Sequence, residues 1–168
     1  IALKSLFFEK ADRILIKTAP LLDTQQTLVD LDCVKEVHVI SVNNDCKEVL
    51  YLLEKGYSDD TQVFWINLKK AVKEEFSFTY TKERNTINQY SEPLEYLYEP
   101  NSSIMKSGAF KSIASKYGLY KLHKHSHLYT STELVLQFPG RSFKIKAVIH
   151  PDKKSLAKHI KGKANLAC

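Results

Sequence analysis

Apolar residues recur three and four apart at Met105, Ala109, Phe110, Ile113, Ala114 and Tyr117, which predicts one helix over residues 101–117 with a single apolar face. Asn101, Ser102 and Ser103 each carry a short side-chain oxygen able to cap its first turn, Pro100 ends the preceding strand, and Gly118 suits a left-handed C-terminus. Upstream the pattern changes. Residues 13–17 form a nearly continuous apolar run of strand length, which suits a buried parallel strand. Residues 34–42, 47–54, 62–68 and 76–81 also read as strands, and Asn43-Asn44-Asp45 predicts a hairpin turn, because Asn and Asp tolerate positive φ. A short helix is expected over 24–31, capped by Asp23 or Thr24, and residues 1–10 read as the end of another.

The stretch 81–93 is polar and poor in aliphatic residues, so it reads as a linker. Beyond the central helix, 119–122 and 128–130 are short extended pieces and Phe138-Pro139-Gly140-Arg141 is a turn. Residues 142–149 alternate as a strand, and a last basic helix starts at Pro151-Asp152 and runs to 161. The expectation is an α+β chain in two parts, 1–90 and 91–168.

With 168 residues, 43% of them hydrophobic and 11% aromatic, the chain can bury a core. No apolar run is long enough to span a bilayer, and the first residues lack the order of a signal peptide, so a cytoplasmic protein without a membrane partner is expected. The chain has no initiator Met and reads as a fragment of something longer. Its three cysteines, Cys33, Cys46 and Cys168, show no CxxC spacing, and opposite ends of a hairpin would keep the first two apart, so reduced thiols are expected.

Charge changes the picture most. Residues 1–100 hold 12 Lys/Arg against 17 Asp/Glu, a balance of −5; residues 101–168 hold 13 against 2, a balance of +11. A lobe so cationic is the footprint expected for a polyanion, or else neutralises an acidic neighbour. Lys106, Lys111, Lys116, Lys121, Lys124, Arg141, Lys144 and Lys146 are the candidate phosphate contacts, with Tyr117, Tyr120 and Tyr129 open to either stacking or core roles. The tail lysines 153, 154, 158, 161 and 163 belong to the last helix. His123, His125 and His127 would share one face of a strand, the residue type of an open zinc site, but the outer pair would then be about 13 Å apart. No acid stands near to orient them. Cys46 lacks a neighbouring base, Ser41 lacks elbow glycines, Glu48 reads as a strand-surface carboxylate and Trp65 as core.

The motifs Ile16-Lys17-Thr18-Ala19-Pro20, Asn44-Asp45-Cys46-Lys47-Glu48, Tyr96-Leu97-Tyr98-Glu99-Pro100-Asn101, Lys106-Ser107-Gly108-Ala109-Phe110, Ser126-His127-Leu128-Tyr129-Thr130-Ser131 and Phe138-Pro139-Gly140-Arg141 together resemble a bacterial family of class I S-adenosylmethionine-dependent RNA methyltransferases that end in a THUMP-like domain. The resemblance implies that residues 11–55 are the terminal strand–helix–hairpin part of a Rossmann-type methyltransferase sheet. It further implies a small ferredoxin-like connection over 56–90 and a THUMP-like module over 94–149. It places Lys17 and Pro20 at the active-site rim, since ligands bind at the carboxyl ends of such strands. The family's glycine-rich cofactor loop and Asp-Pro catalytic motif have no counterpart in this chain, so no catalytic or cofactor-binding residue is assigned to it. The implied role is RNA binding, to tRNA or rRNA, in a protein whose missing N-terminal methyltransferase half carries S-adenosylmethionine, while this part is catalytically silent. The competing readings are a non-catalytic protein-interaction module with a basic face, and a metal-dependent hydrolase built on the three histidines.

Overall fold

The computed structural model describes residues 4–70, 72–149 and 152. The predicted last helix and its five lysines, and Cys168, lie outside these residues. The elements run α1 (Lys4–Phe8), β1 (Arg13–Thr18), α2 (Thr24–Asp30), β2 (Val34–Val42), β3 (Asp45–Glu54), β4 (Gln62–Lys69), β5 (Val72–Thr79), α3 (Tyr80–Asn85), β6 (Tyr96–Pro100), α4 (Ser102–Ser107), α5 (Phe110–Tyr117), β7 (Tyr120–Lys121), β8 (Tyr129–Ser131) and β9 (Gly140–Lys144). They form two sheets, ordered β1-β3-β2-β4-β5 and β7-β8-β6-β9.

The hairpin of β2 and β3 turns where expected, with Asn43 and Asn44 both at positive φ. Strand β1 corrects the expectation of a buried parallel strand. It pairs antiparallel with β3 at the sheet margin and leaves Leu15 63% exposed. Its alternating burial was masked because even its outward position is apolar. Strand β4 pairs parallel with β2 and antiparallel with β5, so these two strands extend the first sheet. Of the supposed linker at 81–93, residues 81–85 belong instead to α3, which Thr79 caps and from which Glu83 turns inward.

The predicted central helix is two. Gly108, at φ +78°, ends α4 in the left-handed region, and the chain restarts as α5. The apolar spacing stays in phase across this break, which is why periodicity does not reveal it. Asn101 caps α4 through its side chain, accepting from the Ile104 N–H, and Gly118 ends α5 at φ +63°. Strand β9 stops at Lys144 rather than at 149, because its partner β6 supplies only five positions.

One face of the first sheet, with Val37, Val39, Val49, Tyr51, Val63 and Trp65, joins Tyr98, Ile104, Ile113, Tyr129 and Phe138 in one continuous core. A polar seam ties the two sheets beside it. Ser103 Oγ donates to Ile66 O, the Ser102 N–H to Asn44 Oδ1, and Glu74 Oε2 accepts from both Asn67 and Asn101. Among the described residues no helix is long and apolar enough to cross a membrane.

Candidate nucleic-acid interface

The helical lysines also contact the fold. Lys106 Nζ donates to Leu22 O at 2.6 Å, and Lys111 Nζ to Arg84 O at 2.8 Å, at the end of α3. Lys116 lies over the Phe76 ring, 4.3 Å from its centroid. Lys121 is 4% exposed, with its ammonium 3.5 Å from Lys124 O and 5.9 Å from the Phe110 ring, and burial lowers its pKa. Lys124 is exposed in a turn. Of the tyrosines, Tyr129 is core, with its hydroxyl on Phe110 O; Tyr117 is half-buried; Tyr120 is 36% exposed.

The histidines do not converge. Residues 123–128 form no strand; the His125 N–H bonds His123 Nδ1, while His127 turns inward and stacks on Phe110 at 3.8 Å. Burial and the Lys121 charge push the His127 pKa down. Among the described residues no group of three His, Cys, Asp or Glu is placed to hold a metal ion. Cys33 and Cys46 are free thiols, and burial raises the pKa of Cys46. Ser41 is buried against Ser102 Oγ. At the end of β1, Lys17 pairs with Glu48 at 3.2 Å and Pro20 is half-buried.

The remaining candidate cations, Arg141, Lys144 and Lys146, lie on β9 and just past its end. Its five residues pair with β6 on one side, and no further described strand pairs with its other edge. Arg141 bonds the Glu99 carboxylate, which raises its pKa, and its guanidinium lies 5.9 Å over the Phe143 ring. Phe143 is 45% exposed and stands opposite Leu97. Lys144 and Lys146 are exposed and pair with no acid among the described residues. With Leu97, Phe143 and Ile145 they line an open groove of about 540 Å³. An aromatic face flanked by ammonium groups that pair with no described acid can stack a base and neutralise phosphates. Sequence reasoning missed Phe143 and Leu97, whose strand alternation was legible but not their place beside these lysines.

A family model described as a ferredoxin-like domain matches residues 96–139, from β6 to the turn before β9. The ferredoxin-like match therefore falls there and not on the 56–90 connection, whose strands β4 and β5 belong to the first sheet. Over 94% of its length the chain is similar to the crystal structure of a "putative methyltransferase" from Porphyromonas gingivalis W83, with a TM-score of 0.84 and 34% sequence identity. The chain spans 40% of that protein's length. No curated protein matches it.

Proposed function

We propose that this chain is the RNA-holding part of an S-adenosylmethionine-dependent RNA methyltransferase of the cytoplasm, in which the cofactor and the reacting groups belong to the rest of the protein. The observation that carries the reading is the pair of exposed ammonium groups, Lys144 and Lys146, which pair with no acid among the described residues and stand beside Phe143 at the β9 edge that no further described strand covers. Similarity to a methyltransferase-described structure over nearly the whole chain supports the parentage. So does the local strand order β1-β3-β2, with β3 reversed, the arrangement the resemblance implies for the last strands of such a sheet. Lys17 and Pro20 then lie at the carboxyl end of β1, on the rim of the neighbouring active site. The THUMP-like role passes to β6–β9, and the RNA is a tRNA or rRNA segment with unpaired bases, since stacking needs an exposed ring.

The chain contains no glycine-rich cofactor loop, so S-adenosylmethionine is held outside it and no chemical step is assigned to its residues. The test is binding of a labelled single-stranded oligoribonucleotide, followed by fluorescence anisotropy. The double variant Lys144→Glu/Lys146→Glu is expected to weaken binding at least about tenfold, by removing two phosphate contacts and adding repulsion. Lys111→Gln, whose ammonium serves Arg84 O, leaves it within about twofold. Equal losses in both variants would overturn the assignment to β9.

A further inference from the structure

Apolar side chains leave the first sheet on both faces. Along β3 and β4 the runs Val49-Leu50-Tyr51-Leu52-Leu53 and Val63-Phe64-Trp65-Ile66 are unbroken, with Val49, Tyr51, Leu53, Val63 and Trp65 in the core. Leu50, Leu52, Phe64 and Ile66 are only partly buried, and they belong neither to the core nor to the apolar groups packed against it. The register sets Leu15 opposite Leu52, His38 opposite both Leu50 and Phe64, and Ile40 opposite Ile66, so these side chains share the outward face. His38 stacks on Phe64 there, with ring centroids 4.7 Å apart, and its Nε2 lies 2.9 Å from Glu36. Towards the strand ends the charges of β1 and β3 are paired, Arg13 with Glu54 and Lys17 with Glu48. The two margins of this face differ. On β5 the positions opposite Phe64, Ile66 and Leu68 are Ser77, Glu75 and Lys73, and the apolar face ends. On β1 it runs on: Leu15 points outward, no described strand pairs with the far edge, and Leu6, Phe7, Leu21 and Leu22 around its two ends are exposed.

We propose that two amphipathic helices from the rest of the protein lie on this outward face, over β1 to β4, and reach it from the β1 side. Strands β1 and β2 both run antiparallel to β3, and β4 runs parallel to β2, so three of the four point the same way. Strands of such sheets read as continuous apolar runs when helices bury both of their faces. Four strands about 4.8 Å apart make a face about 19 Å wide, and one helix about 10 Å across covers half of it. Chain enough for this exists in the similar structure, of which this chain spans 40%. A second copy packed face to face would leave the β1 edge bare, with Leu6, Phe7, Leu21 and Leu22 still exposed around it. In naming the rest of the protein as the occupant, the inference rests on the parentage proposed above; it does not rest on RNA binding.

The test is photo-crosslinking in the full-length protein, with p-benzoylphenylalanine in place of Phe64, of Leu52 or, as the control on β5, of Ser77. Each sample is checked for an unchanged circular dichroism spectrum, and the crosslinked peptides are identified by mass spectrometry. Labels at Phe64 and Leu52 are expected to capture apolar, helix-patterned peptides from outside these 168 residues, and the label at Ser77 to lose that capture. Two outward sites are used so that one bulky label displacing its own neighbour does not decide the outcome. Capture of a second copy, capture of residues 150–168 of this chain, or no capture at both sites overturns the proposal. Equal capture at Ser77 overturns the boundary at β5 and the proposal with it. If the outward labels capture as expected and the oligoribonucleotide does not bind in anisotropy, the inference stands and the RNA reading falls. If RNA binds and the labels capture nothing from the rest of the protein, the inference falls and the RNA reading stands.

Discussion

Glu83 of α3 caps Ser112 of α5. Its Oε2 accepts from the Ser112 N–H at 2.8 Å and its Oε1 from the Lys111 N–H at 2.6 Å, while the residue is only 8% exposed. The local N-cap, Ala109, has no side-chain acceptor to offer, so one helix borrows its cap from another. Glu83→Ala leaves two first-turn N–H groups unanswered and is expected to cost about 2–3 kcal/mol. Glu83→Gln, which keeps one oxygen acceptor, is expected to cost about half of that. Urea unfolding with an unchanged m-value checks both, and an alanine cost under about 1 kcal/mol would remove the cap from the account.

Gly140 is required for want of space. A Cβ there would stand 2.1 Å from Glu99 O and 2.9 Å from Pro100 Cα, backbone atoms of the paired strand β6. Gly140→Ala must part β9 from β6 and is expected to cost about 3 kcal/mol or more. Gly56 is the contrast: its φ is +78°, but a Cβ would meet nothing within 4 Å. Gly56→Ala is expected to cost only about 1–2 kcal/mol, the left-handed penalty alone. Thermal unfolding of the two variants side by side gives the comparison.

His127 predicts a pH dependence. Its pKa falls below the ordinary 6.5 on folding, because its ring is buried against Phe110 and faces Lys121. The unfolded chain then binds the extra proton more readily, so the stability held above pH 6.5 is lost as pH falls through that value towards the folded pKa. His127→Phe should keep the stacked contact and flatten the stability curve between pH 7 and 5.5 relative to the parent. Parallel curves in urea titrations at these pH values would contradict the burial of a neutral imidazole.

The hairpin turn was legible because Asn43-Asn44 names its own backbone geometry, and the Asn101 cap and the Gly118 stop for the same reason: each residue type acts on its neighbours. The break at Gly108 was not, since the apolar spacing runs on through it. Nor was the fate of Lys106 and Lys111. Their acceptors are the backbone carbonyls of Leu22 and Arg84, groups every residue has and no side-chain pattern marks. Counting acids made these lysines look unpartnered, and only the fold reveals the carbonyls.

The central claim, a phosphate-binding edge on β9, is tested most directly by the salt dependence of RNA binding. Two or three phosphates neutralised by Lys144, Lys146 and Arg141 predict that log Kobs falls linearly with log salt, at a slope of about −1.4 to −2.1 or steeper. The slope should become shallower by about 1.4 in Lys144→Glu/Lys146→Glu. A slope near zero, or one that the double variant leaves unchanged, would contradict it.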